Sequence, residues 1–234
     1  MKRNIIWLLL IVNIIGMYGC NPNKTINTAP FSGYLEVANL QGKVIQKGKY
    51  SSGFKVGVWE YLFHDSTWNS IEWEVVGDSI ARINMPKGWE ATAKSSSLFN
   101  MKANTLNSNS QITLFQKSTD GVLNPIKSYR EQMLKGFNER YIILQESQKN
   151  FRLSDQEFLL SKYSLKQTED VIYCMNALIV KGGSIFELTY YFKDQNIEVH
   201  RNLFADILFS VEYRNEFIFT HDEDDFQPQL FFSS

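Results

Sequence analysis

Three histidines, two cysteines and one acidic run are the side chains of this 234-residue sequence with the most evident chemical capacity. His64, His200 and His221 stand in neither an HxxxH nor an HExxH arrangement, the spacings that put two imidazoles on one face for a metal. Each reads as a surface histidine. Cys174 lies between Tyr173 and Met175 in an apolar stretch. A thiol there is expected to be buried and inert, because a nucleophilic cysteine needs a lowered pKa and a base nearby. Neither a Gly-x-Ser-x-Gly elbow nor a phosphate-cradling glycine loop is present. Asp222, Glu223, Asp224 and Asp225 crowd four carboxylates, the oxygen ligands that hard cations favour. Without the glycine and closing glutamate of a calcium loop, a solvated acidic tail is the plainer reading. The sequence therefore predicts no catalytic residue, no metal ligand and no cofactor, and so no enzyme.

Binding is the better-supported capacity. Trp59, Tyr61, Phe63, Trp68 and Trp73 fall close together, and in a single-layer meander only part of such a set faces a core. The remainder would mark a site for a protein partner or ligand; the alternative is that the set packs onto the rest of the chain. Phe217, Phe219, Phe226, Phe231 and Phe232 flank the acidic run and are expected to dock back on the domain or on a partner. The formal charge of −1 argues against nucleic acid, which calls for a basic patch.

The elements that must carry these residues follow from periodicity. Val44–Tyr50 and Val56–Phe63 alternate apolar and polar residues around the turn Ser51-Ser52-Gly53-Phe54, a hairpin pattern, and Trp68–Val76 extends it to a meander. In that alternation Val58 and Glu60 share one face and Trp59, Tyr61 and Phe63 the other. Farther on, Ser79–Met85, Ser97–Lys102 and Gln111–Gln116 read as strands. Pro125 opens a helix on which Ile126, Tyr129, Met133, Leu134 and Phe137 recur at helical spacing. Strands follow at Ile142–Gln148, Glu157–Gln167, Val171–Lys181 and Ser184–Phe192, with Gly182-Gly183 as a hairpin turn. Val199, Leu203, Phe204, Ile207 and Leu208 mark a closing amphipathic helix. The expected fold class is α+β: an antiparallel sheet flanked by two helices, preceded by a small β-hairpin region.

The first residues are of another kind. Lys2 and Arg3 precede an apolar run, Ile5–Ile15, that is short for a bilayer span of about 20 residues and fits a secretory signal peptide. The run ends in Met17-Tyr18-Gly19-Cys20, which resembles the lipobox of bacterial lipoproteins. That resemblance implies cleavage before Cys20, lipid (palmitate among the acyl groups) on its sulfur, and anchorage to a membrane of the cell envelope, on the periplasmic or surface side of the outer membrane. An ordinary cleaved signal or an anchor helix is the alternative. Asn21–Ser32 is polar, carries Pro22 and Pro30, and reads as a tether. If Cys20 carries lipid, Cys174 has no intramolecular partner.

Two further resemblances concern the mature region. Gly48, Tyr50, Gly53, Gly57, Trp59 and Tyr61 match the spacing of a bacterial MORN-type repeat, whose family members serve as scaffolds or antitoxin-like modules. Ile83, Pro86, Gly88 and Trp89, with Phe186–Phe192 leading into the closing helix, resemble the PsbP-like fold shared by DcrB-like and LpqN-like lipoproteins. This implies a non-enzymatic accessory role. The expected organisation is a signal peptide over 1–19, a tether over 20–32, a MORN-like meander over 33–76, a PsbP-like domain over 77–215 and an acidic, aromatic tail over 216–234. The expected function is a membrane-anchored, non-catalytic envelope lipoprotein that binds a protein partner or supports an envelope assembly. An immunity-type lipoprotein and a small-ligand carrier are the alternatives.

Overall fold

The computed structural model describes residues 32–38, 42–62, 67–91, 98–103, 110–153, 156–193 and 197–219. The alternating runs become strands: β1 (Gly33–Ala38), β2 (Val44–Ser51), β3 (Phe54–Leu62), β4 (Trp68–Gly77), β5 (Ala81–Pro86), β6 (Trp89–Ala91), β7 (Phe99–Ala103) and β8 (Gln111–Ser118). Helix α1 (Pro125–Asn138) separates these from β9 (Ile142–Leu153), β10 (Gln156–Gln167), β11 (Asp170–Lys181) and β12 (Ser184–Phe192). Helix α2 (Ile197–Leu208) leads into the short pair β13 (Glu212–Tyr213) and β14 (Glu216–Phe217).

These strands form two sheets of seven, ordered β1-β2-β3-β4-β5-β13-β14 and β6-β7-β8-β12-β11-β10-β9. This corrects the expected α+β class. Among the described residues there are two helices against two seven-stranded antiparallel sheets, so the protein is β-rich. The reason lies in the length over which period two persists. Strands β9, β10 and β11 each run 12 residues, and their ladders stay in register along most of that length. The hairpin region is also no appendage: β4 pairs with β5 from Trp73↔Pro86 to Gly77↔Arg82, so the first sheet runs through the expected division at Val76.

Chain return closes that sheet. Glu212 pairs with Arg82 across β13 and β5, and its carboxylate takes a bidentate fork from the Arg82 guanidinium at 2.6 to 3.1 Å. The segment Ile83-Asn84-Met85-Pro86-Lys87-Gly88-Trp89 is the corner where the chain leaves one sheet and enters the other. Gly88 turns it, and Trp89 packs against Tyr190 with ring centroids 6.1 Å apart.

One continuous core draws Trp59, Trp73 and Ile83 from the first sheet, Leu114, Ala177 and Leu188 from the second, and Phe204, Ile207 and Leu208 from α2. Helix α1 contributes less, burying only Phe137 fully. Phe219 docks on Phe158 with ring centroids 6.5 Å apart, and Phe217 lies 5.4 Å from Phe54. Both expected tail aromatics within the described residues therefore pack back on the body.

Candidate functional site

Hairpin β2–β3 is built around a close approach. Gly48 faces the Trp59 indole so tightly that a Cβ there would lie 2.4 Å from the ring. The pairing slips between Lys47 and Lys49, and Gly57 sits in the bulged stretch at φ +66°, a conformation glycine adopts without strain. Trp59 is thereby held against Tyr50, edge to face at 4.9 Å, and its Nε1 donates to the Lys49 carbonyl at 2.9 Å.

Period two puts Lys55, Trp59 and Tyr61 on the same face of β3, and that face is interior. Lys55 is 3% exposed. Its ammonium lies 4.0 Å from the Trp59 ring centroid, 4.8 Å from that of Tyr61 and 5.7 Å from that of Trp73, an aromatic cage of the kind that attracts a cation. Each of its three N–H groups has an acceptor: Asp206 Oδ1 at 2.7 Å, Tyr61 Oη at 3.0 Å and Gln46 Oε1 at 3.1 Å. Tyr61 in turn donates to Asp206 Oδ2 at 2.8 Å and accepts from Trp73 Nε1 at 2.9 Å. Burial pushes the Lys55 pKa down, and the Asp206 charge opposes that shift. The same burial, then the same carboxylate, holds the Tyr61 phenol well above its ordinary value.

Asp206 arrives from α2 within the apolar run Leu203-Phe204-Ala205-Asp206-Ile207-Leu208. Asn84 on β5 completes the frame. Its side chain accepts from the Lys55 backbone N–H at 2.9 Å and donates to the Lys55 carbonyl at 2.6 Å, while its own N–H donates to Ser210 Oγ at 2.8 Å. Three elements distant in sequence are thus joined through one lysine. Beside this network opens a cavity of about 230 Å³, whose lining includes Leu35, Val37, Gln46, Lys55, Asp206 and Phe209.

The expected binding set divides. Trp59, Tyr61 and Trp73 are interior, whereas Trp68 is 42% exposed with the Lys47 ammonium 4.6 Å above its ring. Phe63 lies outside the described residues, as do Cys20, His64, His221 and the acidic run. An exposed face of all these aromatics is not what forms; the cage turns its members inward. Lys55, Gln46, Asn84 and Asp206 went unread in the sequence, although a lysine in phase with Trp59 and Tyr61 was one available sign. An aspartate inside an apolar helical run was the other.

Other reactive groups are locked. Cys174 is buried, and desolvation holds its thiol well above the usual range. His200 is buried rather than superficial: its Nδ1 shares a hydrogen bond with Tyr190 Oη at 2.6 Å, and its ring stacks on Phe192 at 4.1 Å. Helix α2 turns it inward because residues 200, 203, 204 and 207 share the core-facing stripe. Among the described residues no group of three or more His, Cys, Asp or Glu side chains is placed to hold a metal ion.

No protein-family model matches the chain, and no curated protein matches it either. Solved structures do. The cyanobacterial PsbP of Synechocystis is 11% identical over 60% of this chain and 92% of that one, with a TM-score of 0.47. The Ran-binding protein Mog1p of Saccharomyces cerevisiae is 10% identical over 62% of this chain and 97% of its own, with a TM-score of 0.45. Similarity of this degree assigns no activity.

Proposed function

We propose that the chain is a non-catalytic lipoprotein of the bacterial cell envelope, held on a membrane by lipid on Cys20, whose folded body binds a protein partner. The lipobox-like Met17-Tyr18-Gly19-Cys20 supports the anchor. The observation that carries the non-catalytic reading is the saturation of Lys55. A lysine acting as nucleophile or base needs a free electron pair directed at substrate, and this ammonium has all three N–H groups engaged by Gln46, Tyr61 and Asp206. Such a network fixes geometry. What the body offers a partner is the outer side of the first sheet, where Trp68 and Val58 are exposed beside the Lys47–Glu60 ion pair at 3.1 Å. An exposed tryptophan rimmed by charges suits a protein contact.

The reading is tested by placing a photo-crosslinking amino acid at Trp68 in cells. A discrete adduct that is lost when Cys20→Ala releases the chain from the membrane supports an anchored, partner-binding role. Absence of any adduct at Trp68 while the chain stays anchored contradicts it.

A further inference from the structure

The cavity beside Lys55 has a mixed lining. Leu35 and Val37 of β1 and Phe209 after α2 are its apolar part, and Gln46, Lys55 and Asp206 belong to its polar part, here called its floor. The hydrogen bonds of that floor are unevenly filled. Asp206 accepts one bond at each oxygen, from Lys55 at Oδ1 and Tyr61 at Oδ2. An ionised carboxylate has about four acceptor positions, so two remain. Gln46 uses its Oε1 toward Lys55, and its amide Nε2 has no hydrogen-bond partner among the described residues. An acceptor residue and a donor residue, both anchored by the Lys55 network, therefore line the same small space.

We infer that this cavity is a binding site for a small uncharged amphiphile, a molecule with one donor-and-acceptor head such as a primary amide or alcohol and a compact apolar body. Three physical points lead there. The volume of about 230 Å³ exceeds the roughly 150 Å³ that suffices to hold benzene in an apolar protein cavity. Lys55 and Asp206 neutralise each other, so the floor has no net charge to compensate an ion stripped of its water. A cation at Asp206 would meet Lys55, and an anion would find every Lys55 N–H already engaged. A neutral head can donate to Asp206 and accept from Gln46 at once, while its body covers Leu35, Val37 and Phe209. The site does not depend on the protein-partner reading, since Trp68 lines no part of the cavity.

Benzamide has such a head and body; benzoate and benzylamine keep the ring and add a charge. The experiment titrates all three into the methyl-labelled full chain in lipid nanodiscs. The expected result is saturable movement of the Leu35 and Val37 methyl signals with benzamide, and at least roughly ten-fold weaker response to benzoate and benzylamine. Gln46→Leu removes the donor, and Val37→Phe adds bulk to the cavity from the edge strand β1, opposite Gln46 in the ladder. Both should weaken benzamide at least about ten-fold while methyl signals of the second sheet stay in place. No saturable shift with benzamide, equal or tighter binding of a charged comparator, or unchanged affinity in Val37→Phe would each overturn the inference.

Discussion

The Lys55 ammonium and the Asp206 carboxylate meet at 2.7 Å in the interior, the first from a hairpin strand and the second from the closing helix. Two ions out of water are stable together only when further hydrogen bonds support the pair. Here Gln46 and Tyr61 take the other two ammonium N–H groups, and Tyr61, itself held by Trp73, donates to the second Asp206 oxygen. The pair is therefore a joint between the first sheet and α2, and its removal by halves should be far worse than its removal whole. Asp206→Leu leaves a buried ammonium uncompensated and should lower unfolding stability by about 3–5 kcal/mol. Adding Lys55→Met should recover most of that loss. Urea unfolding of both singles and the double measures the coupling; additive losses would contradict the joint.

Gly48 is fixed by contact, not by backbone angle. Its Cβ position lies 2.4 Å from the Trp59 ring, so Gly48→Ala must displace the indole and loosen the cage around Lys55. The expected loss is about 1–3 kcal/mol, the range for inserting a methyl group into a packed core. A red-shifted tryptophan emission in the folded state should accompany it. An unchanged unfolding midpoint would mean that Trp59 yields freely.

Glu187 gives a pH dependence whose sign follows from burial. Desolvation raises its pKa, although Thr189 at 2.9 Å and Asn176 at 3.0 Å donate to the carboxylate. The folded state therefore holds this proton more tightly than the unfolded chain. Its stabilising contribution is complete below the unfolded value of about 4.3 and is lost as pH rises through the raised folded value. Glu187→Gln, neutral throughout, should be more stable than the parent at pH 7.5 and close to it at pH 4. Urea midpoints at both pH values check this, and a parent that outlasts the variant at pH 7.5 would reverse the assignment.

Cys174 should be silent. Buried, with its thiol pKa well above the ordinary range, it presents neither access nor thiolate to an alkylating reagent. Iodoacetamide should modify it only across the unfolding transition, read by mass spectrometry along a urea series. Modification in native buffer would show that the second sheet opens at β11.

Most strands could be read from the chain because a two-residue period is a local property. β10, β11 and β12 lie within a residue of where Phe158 to Phe192 alternate, and Gly182-Gly183 turns the last hairpin as expected. The fold class could not be read so. Whether β4 continues into β5, or β13 returns to β5, depends on pairings such as Glu212↔Arg82 between residues far apart in sequence. Alternation is silent on those partners. The site shows the same division. Trp59 and Tyr61 announce themselves as an aromatic face that either a partner or the chain's own body could cover; the structure covers it from within, around the chain's own lysine. Lys55 was in phase with them. Only the arrival of Asp206 from α2 makes a buried lysine tolerable, and no local pattern links those two residues.

The most direct test of the functional account is metabolic labelling with an alkyne fatty acid, comparing the parent chain with Cys20→Ala and following both through membrane fractionation. The account predicts labelled, membrane-bound parent protein, and a variant that carries no label and leaves the membrane fraction. A parent chain that takes no label, or a Cys20→Ala chain that is labelled and retained like the parent, would contradict it.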